Sequence, residues 1–203
     1  MGKDNFLNLI LPGAISAYKQ FSVLPSLALA QAALESDWGD SAPGNNLFGI
    51  KYTSGCGFNK QLLWTTEYIN GVETKVQDWF RAYDSMSQSV TDHGCFLSIN
   101  SRYKPVLQCT NYIDACKEIQ DCGYATAPDY AYQLIHIIEE NDFNKWDGVR
   151  YKMQKITDAT EAINLLVKEG VLNSPDYWLI ALKVTKNLDV LVINMANKLT
   201  GNM

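Results

Sequence analysis

The chain of 203 residues is 47% apolar and 19% charged, enough for one ordinary core or for a medium domain with a small accessory one. It carries no run of about 18 apolar residues of the kind a membrane-spanning helix needs, and its formal charge of −5, without a basic cluster, excludes an electrostatic footprint for nucleic acid or an anionic membrane surface. Five cysteines without CxxC spacing, and only His93 and His136 outside any HExxH-like pattern, argue against a metal site, so no metal and no cofactor are expected.

The opening residues have a short apolar run and no small-residue cleavage site, which reads as a first helix over residues 5 to 10 rather than a signal peptide. On that expectation the chain is made in a reducing compartment and Cys56, Cys95, Cys109, Cys116 and Cys122 are free thiols. A second helix is predicted from Leu24 to Trp38. Pro25 and Ser26 open it, Leu27, Gln31, Leu34 and Trp38 recur at helical spacing, and Gly39 can take the positive φ of a C-cap. Glu35 lies near its C-terminal end, on the same side as Ala28 and Ala32. Two such small residues let a neighbouring element approach and exclude water, and the helix terminus carries negative partial charge. Both conditions favour a carboxyl group that keeps its proton, as a glycosidase acid must. A solvated glutamate in a last helical turn is the plainer alternative.

Pro43-Gly44 and Asn45-Asn46 then mark a loop. From Ile50 to Phe80 the chain is rich in Thr, Trp, Tyr, Val and Ile, the composition of a small antiparallel β-region, with Asn70-Gly71 as a hairpin turn. A two-residue turn pairs Ile69 with Val72, Tyr68 with Glu73 and Glu67 with Thr74. Glu67 then shares a face with Thr65, Ile69, Val72 and Val76, and Glu73 shares the other with Tyr68, Trp64 and Lys75. Helical spacing returns at Val90, His93, Gly94 and Leu97. A loop through Arg102, Tyr103 and Pro105 leads to a helix lined by Tyr112, Ala115, Cys116 and Ile119 and stopped by Gly123. Another, opened near Pro128, is lined by Tyr130, Leu134, Ile137 and Ile138. The pattern is α+β, a helical body with an inserted hairpin, and the groove between them is the natural ligand site.

Trp146, Asp147 and Gly148 close this body, giving a predicted domain over residues 1 to 148, and residues 149 to 156 form a polar connection. In the accessory segment, residues 153 to 203, Asp158 and Glu161 make a capping box before Ile163, Leu166 and Val167, and Gly170 ends that helix. Ser174-Pro175 starts another, with Trp178, Leu182, Thr185, Leu188, Leu191, Val192, Met195 and Leu199 in a wide apolar stripe. Two helices of this size cannot bury that stripe alone. Docking on the body, self-association as a homo-oligomer, and binding to a target are the three outcomes it allows.

Together LALAQAALESDWGDSAPGNNLFGIK (27 to 51), TTEYINGV (65 to 72), FRAYDSMSQSVTDHGCFL (80 to 97), SRY (101 to 103) and GYATAPDYAYQLIHII (123 to 138) resemble the peptidoglycan hydrolases of glycoside hydrolase family 73, over roughly residues 5 to 145. The resemblance implies a lysozyme-like α+β fold, with a C-terminal helical pair outside it, and cleavage of the bond from N-acetylglucosamine to N-acetylmuramic acid. Carried over by motif, it makes Glu35 in ALESDWG the proton donor, Glu67 in TTEY the second carboxylate, and Tyr124 in GYAT a site tyrosine. Asn46, Phe48 and Tyr103 are candidate cleft-lining residues, the amide for acetamido groups and the rings for sugar faces or packing. The implied partner is the peptidoglycan glycan strand, with no nucleic acid and no membrane. A phage endolysin held in the host cytoplasm before release to the wall fits the expected lack of a signal peptide. A muramidase or lytic transglycosylase of the same fold, or a wall-binding virion protein, are the alternatives.

Overall fold

The computed structural model describes residues 1–69, 71–147, 158–168, 171–172, 178–179, 181–182 and 188–199. The chain divides into two units, Met1–Gly148 and Val149–Met203.

The first unit is built around a short helix. In order it holds α1 (Lys3–Phe21), α2 (Pro25–Glu35), a two-stranded antiparallel sheet of β1 (Asn59–Ile69) and β2 (Val72–Ala82), α3 (Met86–Ile99), α4 (Tyr112–Asp121) and α5 (Tyr130–Glu140). Every residue of α2 from Pro25 to Ala33 is buried. A helix apolar on all sides belongs inside, and α1, α3, α4 and α5 all contact it. Asp147, from the far end of the unit, accepts hydrogen bonds from the backbone N–H (2.9 Å) and the hydroxyl of Ser26, capping α2 where its free N–H groups need partners. Burial outweighs these bonds and raises the Asp147 pKa.

Helix α2 stops at Glu35, three residues short of the predicted Trp38. Ser36 Oγ donates to Ala32 O at 2.6 Å and accepts from Gly39 N at 2.9 Å, and the backbone of Asp37 and Trp38 turns left-handed, with φ of 49° and 54°. This frees the Trp38 ring to pack against Phe6 and Phe143, at centroid distances of 5.9 and 6.3 Å. Glu35 is thereby the last helical residue. Helices α1 and α3 approach closely because Gly13 faces the backbone of Ser87, where an added Cβ would lie 2.2 Å from Ser87 O.

The hairpin pairs Ile69 with Val72, Tyr68 with Glu73 and Glu67 with Thr74, the register read from the sequence. Asn70 of its turn lies outside the described residues. The 50–52 segment lies against β2, with Tyr52 N donating to Trp79 O at 2.8 Å and Arg81 N to Ile50 O at 3.0 Å. Ser85 caps α3 by accepting from Gln88 N, and Asn111 caps α4 by accepting from Asp114 N at 2.9 Å.

In the second unit α6 (Ala159–Lys168) and α7 (Leu188–Leu199) share a cluster of Ala162, Ile163, Leu166, Leu188, Val192 and Ala196. Asp158 accepts from Thr160 N at 2.9 Å at the start of α6. Leu191 and Leu199, placed by the sequence in an apolar stripe that the two helices cannot bury alone, are exposed. Gly148, the connection over 149 to 156, the Gly170 stop, the Ser174-Pro175 start and Thr185 fall outside the described residues.

A candidate active-site cleft

A cavity of about 490 Å³ opens where the end of α2, the 48–53 loop, the base of β2 and α3 meet. Glu35, Phe48, Tyr103 and Tyr124, expected at one site, all line it. Glu67 and Asn46 do not.

Glu35 is exposed at the cavity wall. The water-excluded setting expected from Ala28 and Ala32 does not form around it, because those alanines face the core and are themselves buried, while Glu35 ends the helix on the open side. Its carboxyl group is held from one side. Tyr130 on α5 donates its hydroxyl to Glu35 Oε1 at 2.7 Å, and Gln31, one turn earlier on α2, donates Nε2 to the Tyr130 oxygen at 3.1 Å. Among the described residues no other group hydrogen-bonds the carboxyl, so Oε2 is free toward the cavity. Burial holds the Tyr130 hydroxyl far above the ordinary tyrosine pKa, so it remains a donor at all working pH values.

Tyr124 follows the end of α4, where Gly123 takes φ of 71°. Its ring stacks on Tyr130 at 5.8 Å and tilts against Tyr103 at 5.9 Å. The Tyr124 hydroxyl lies 2.9 Å from His93 Nε2. His93, on α3, is 1% exposed and lies flat against Phe48, centroids 3.9 Å apart. Its burial pushes the imidazole pKa down to about 3, so the ring is neutral. Nδ1 is buried without a partner. An orphaned buried N–H is rarer than an orphaned acceptor, which puts the proton on Nε2, where the Tyr124 oxygen accepts it. The tyrosine's own hydrogen is then left to point elsewhere. Burial raises the Tyr124 pKa well above its ordinary value, so Tyr124 presents an O–H and not a phenolate.

Glu67 stands one ion pair behind the wall. Lys51, which lines the cavity, places Nζ 2.6 Å from Glu67 Oε1 and 2.9 Å from Asp78 Oδ2. Glu67 and Asp78 lie on one sheet face, opposite Thr74 and Leu63. The two carboxylates raise the Lys51 pKa, and Lys51 lowers that of Asp78. Arg81, also on the wall, is anchored to α3 by Asp92 at 2.6 Å, and Tyr83 donates to the same Asp92 oxygen at 2.7 Å. That buried pair fixes the base of the hairpin against the helical body.

Asn46 is 4% exposed. Its Nδ2 donates to Ile50 O and Arg81 O, and its Oδ1 accepts from Ile50 N, each at 3.0 Å. The amide is consumed by the loop, so Asn46 braces the cavity rim instead of meeting an acetamido group as expected. His93, Lys51, Arg81 and Tyr130 are the wall and support residues that sequence reasoning passed over. For Tyr130 and His93 a signal existed, since a polar tip within an apolar helical stripe needs a partner. All five cysteines are unpaired, and Cys116 is pushed up to about 12 by burial. Among the described residues no group of His, Cys, Asp and Glu is placed to hold a metal ion.

The family profile described as mannosyl-glycoprotein endo-beta-N-acetylglucosaminidase matches residues 11–143. The chain is 34% identical to the exo-glucosaminidase LytG of Bacillus subtilis over 85% of its own length and 61% of that protein. It is 36% identical to the peptidoglycan hydrolase FlgJ of Salmonella typhimurium over 68% of its length and 46% of that relative. It thus spans about half of the curated relatives it matches. Among solved structures, the catalytic domain of the autolysin Auto from Listeria monocytogenes is similar at a TM-score of 0.61 and 31% identity, covering 71% of this chain and 87% of that one.

Proposed function

The chain belongs to the mannosyl-glycoprotein endo-β-N-acetylglucosaminidase family, and from that premise we propose that it hydrolyses the β-1,4 bond from N-acetylglucosamine to N-acetylmuramic acid in peptidoglycan. The observation that carries this reading is Glu35. Among the described lining residues it is the one carboxyl group on the cavity wall, with one oxygen fixed by Tyr130 and the other open to a ligand.

Cleaving a glycosidic bond needs an acid for the leaving oxygen and a group that supplies or orients the nucleophile at the anomeric carbon. Glu35 delivers the proton from Oε2 while Tyr130 holds Oε1, so the carboxyl plane is set before the sugar arrives, and pre-set geometry of this kind lowers the barrier. Tyr124, fixed by the His93 N–H, donates into the cavity toward the sugar's acetamido oxygen or the incoming water. Phe48 and Tyr103 supply apolar wall for pyranose faces. Glu67 acts as general base on a water once Lys51 turns from it to the substrate.

A second reading is favoured by the position of Glu67 behind Lys51. The 2-acetamido group of the substrate attacks the anomeric carbon, and Tyr124 orients it. Both readings need Glu35 as acid. Purified cell-wall sacculi should therefore lose turbidity with the wild-type chain, and Glu35→Gln should slow clearing by about 10²- to 10⁴-fold, the usual contribution of acid catalysis. Clearing at the wild-type rate by that variant removes Glu35 from the role.

A further inference from the structure

The hairpin has a second face that, beyond Arg81 at its base, does not line the cleft. Its even-numbered β1 residues point away from Glu67, and on that side Leu62, Trp64, Tyr68 and Trp79 are 44, 69, 75 and 42% exposed. Leu62 pairs with Trp79, and Trp64 and Tyr68 lie four residues apart on one strand, about 13 Å along it at 3.3 Å per residue. Aromatic rings left this open on a sheet face lose apolar burial that a core position would give them, and contiguous patches of this kind mark contact surfaces. No described residue stacks on the ring of Trp64 or Tyr68.

Two further observations select the occupant. Lys60 and Lys75 share this exposed face with a single glutamate, Glu73, on a chain whose net charge is −5, so the patch runs against the sign of the molecule. The face is also continuous with the cleft. Tyr52, bonded through its N–H to Trp79 O, sits between Lys51 and Thr53, both of which line the cavity. Lys60 Nζ lies 4.3 Å from the Trp79 ring centre and 5.5 Å from that of Tyr52. A ligand leaving the cavity past this corner meets rings and ammonium groups together.

We propose that the outer face of the hairpin binds a length of peptidoglycan glycan strand beyond the bond being cleaved. Trp64 and Tyr68 stack on pyranose rings, and Lys60 and Lys75 pair with the free carboxylates of the stem peptides attached to the strand. The proposal rests on the peptidoglycan reading above and adds to it a hold on the polymer that a short substrate cannot reach. Such binding keeps the enzyme on an insoluble wall between cleavages.

The test uses the full chain and sacculi stripped of teichoic acids. Retention is measured by co-sedimentation in the Glu35→Gln background, which prevents digestion during the assay. Adding Trp64→Ala with Tyr68→Ala should weaken retention about tenfold, and Trp64→Phe with Tyr68→Phe should restore most of it, because a phenyl ring still stacks. With Glu35 intact, the alanine pair should turn over a short soluble glycan oligomer at the wild-type rate while clearing sacculi more slowly. Lys75→Glu, which leaves the rings in place, should also weaken retention, most at low salt. Unchanged retention in the alanine pair overturns the proposal. So does an equal loss of turnover on the soluble oligomer, which would make the face part of the cleft, or a fall from dimer to monomer in light scattering, which would make the occupant a second copy of the chain. A wild-type protein that neither clears nor sediments with sacculi refutes the peptidoglycan reading itself.

Discussion

Glu35, Tyr130, Tyr124 and His93 form a chain of contacts: a hydrogen bond from Tyr130 to Glu35, ring stacking of Tyr130 on Tyr124, and a hydrogen bond between Tyr124 and His93. Its innermost member is the easiest to interrogate. Folded His93 has a pKa depressed to about 3, against about 6.5 in an unfolded chain. Between those values the unfolded state binds a proton that the native state refuses, so stability is full above pH 6.5 and falls as pH drops toward 3. His93→Gln can keep a donor near Nε2 and does not titrate. Urea unfolding at pH 7 and pH 5 should show the wild type losing about 2 kcal/mol more than His93→Gln over that interval, from roughly 1.4 kcal/mol per pH unit. Equal losses would contradict a buried neutral imidazole. His93→Phe removes the donor to Tyr124 altogether, and it should lower turnover on soluble glycan where His93→Gln retains most of it.

At the scale of elements, the hairpin was the most legible part of the chain. Asn70-Gly71 fixed the pairing, and the pairing put Glu67 and Glu73 on opposite faces as observed. Period-two geometry is local, so a sequence can carry it. The end of α2 was less legible, because Ser36 turns the chain by bonding Ala32 and Gly39, and Trp38 leaves the helix to pack on residues far away in sequence. The environment of Glu35 was misread for a related reason. Small residues on its side of the helix pointed to a close neighbour, and Ala28 and Ala32 are buried, but Glu35, one turn further on at the helix end, is exposed. Likewise nothing in NNLFG tells that Asn46 spends its amide on Ile50 and Arg81, since Arg81 arrives from the other end of the hairpin. Glu67 lies behind Lys51, and the choice between its two roles can be read from the product. Proton NMR of the freshly released sugar should show the inverted α-anomer if Glu67 activates water, whereas the retained β-anomer would replace it with the acetamido route.

For the whole molecule, the sequence separated a body from a C-terminal pair, and the structure divides into the units Met1–Gly148 and Val149–Met203. The family match, residues 11–143, falls within the first, as do the cavity and the aromatic outer face of the hairpin. The second unit contributes its own cluster between α6 and α7 while keeping Val190, Leu191 and Leu199 exposed. No described helix is long and apolar enough to cross a membrane. The central claim concerns one bond in one polymer, and the most direct measurement is the chemistry of the new reducing ends. Sacculi digested by the wild-type chain, reduced with borohydride and hydrolysed, should yield reduced N-acetylglucosamine, with none above background from Glu35→Gln. Reduced N-acetylmuramic acid in its place, or anhydro ends that resist reduction, would contradict the account.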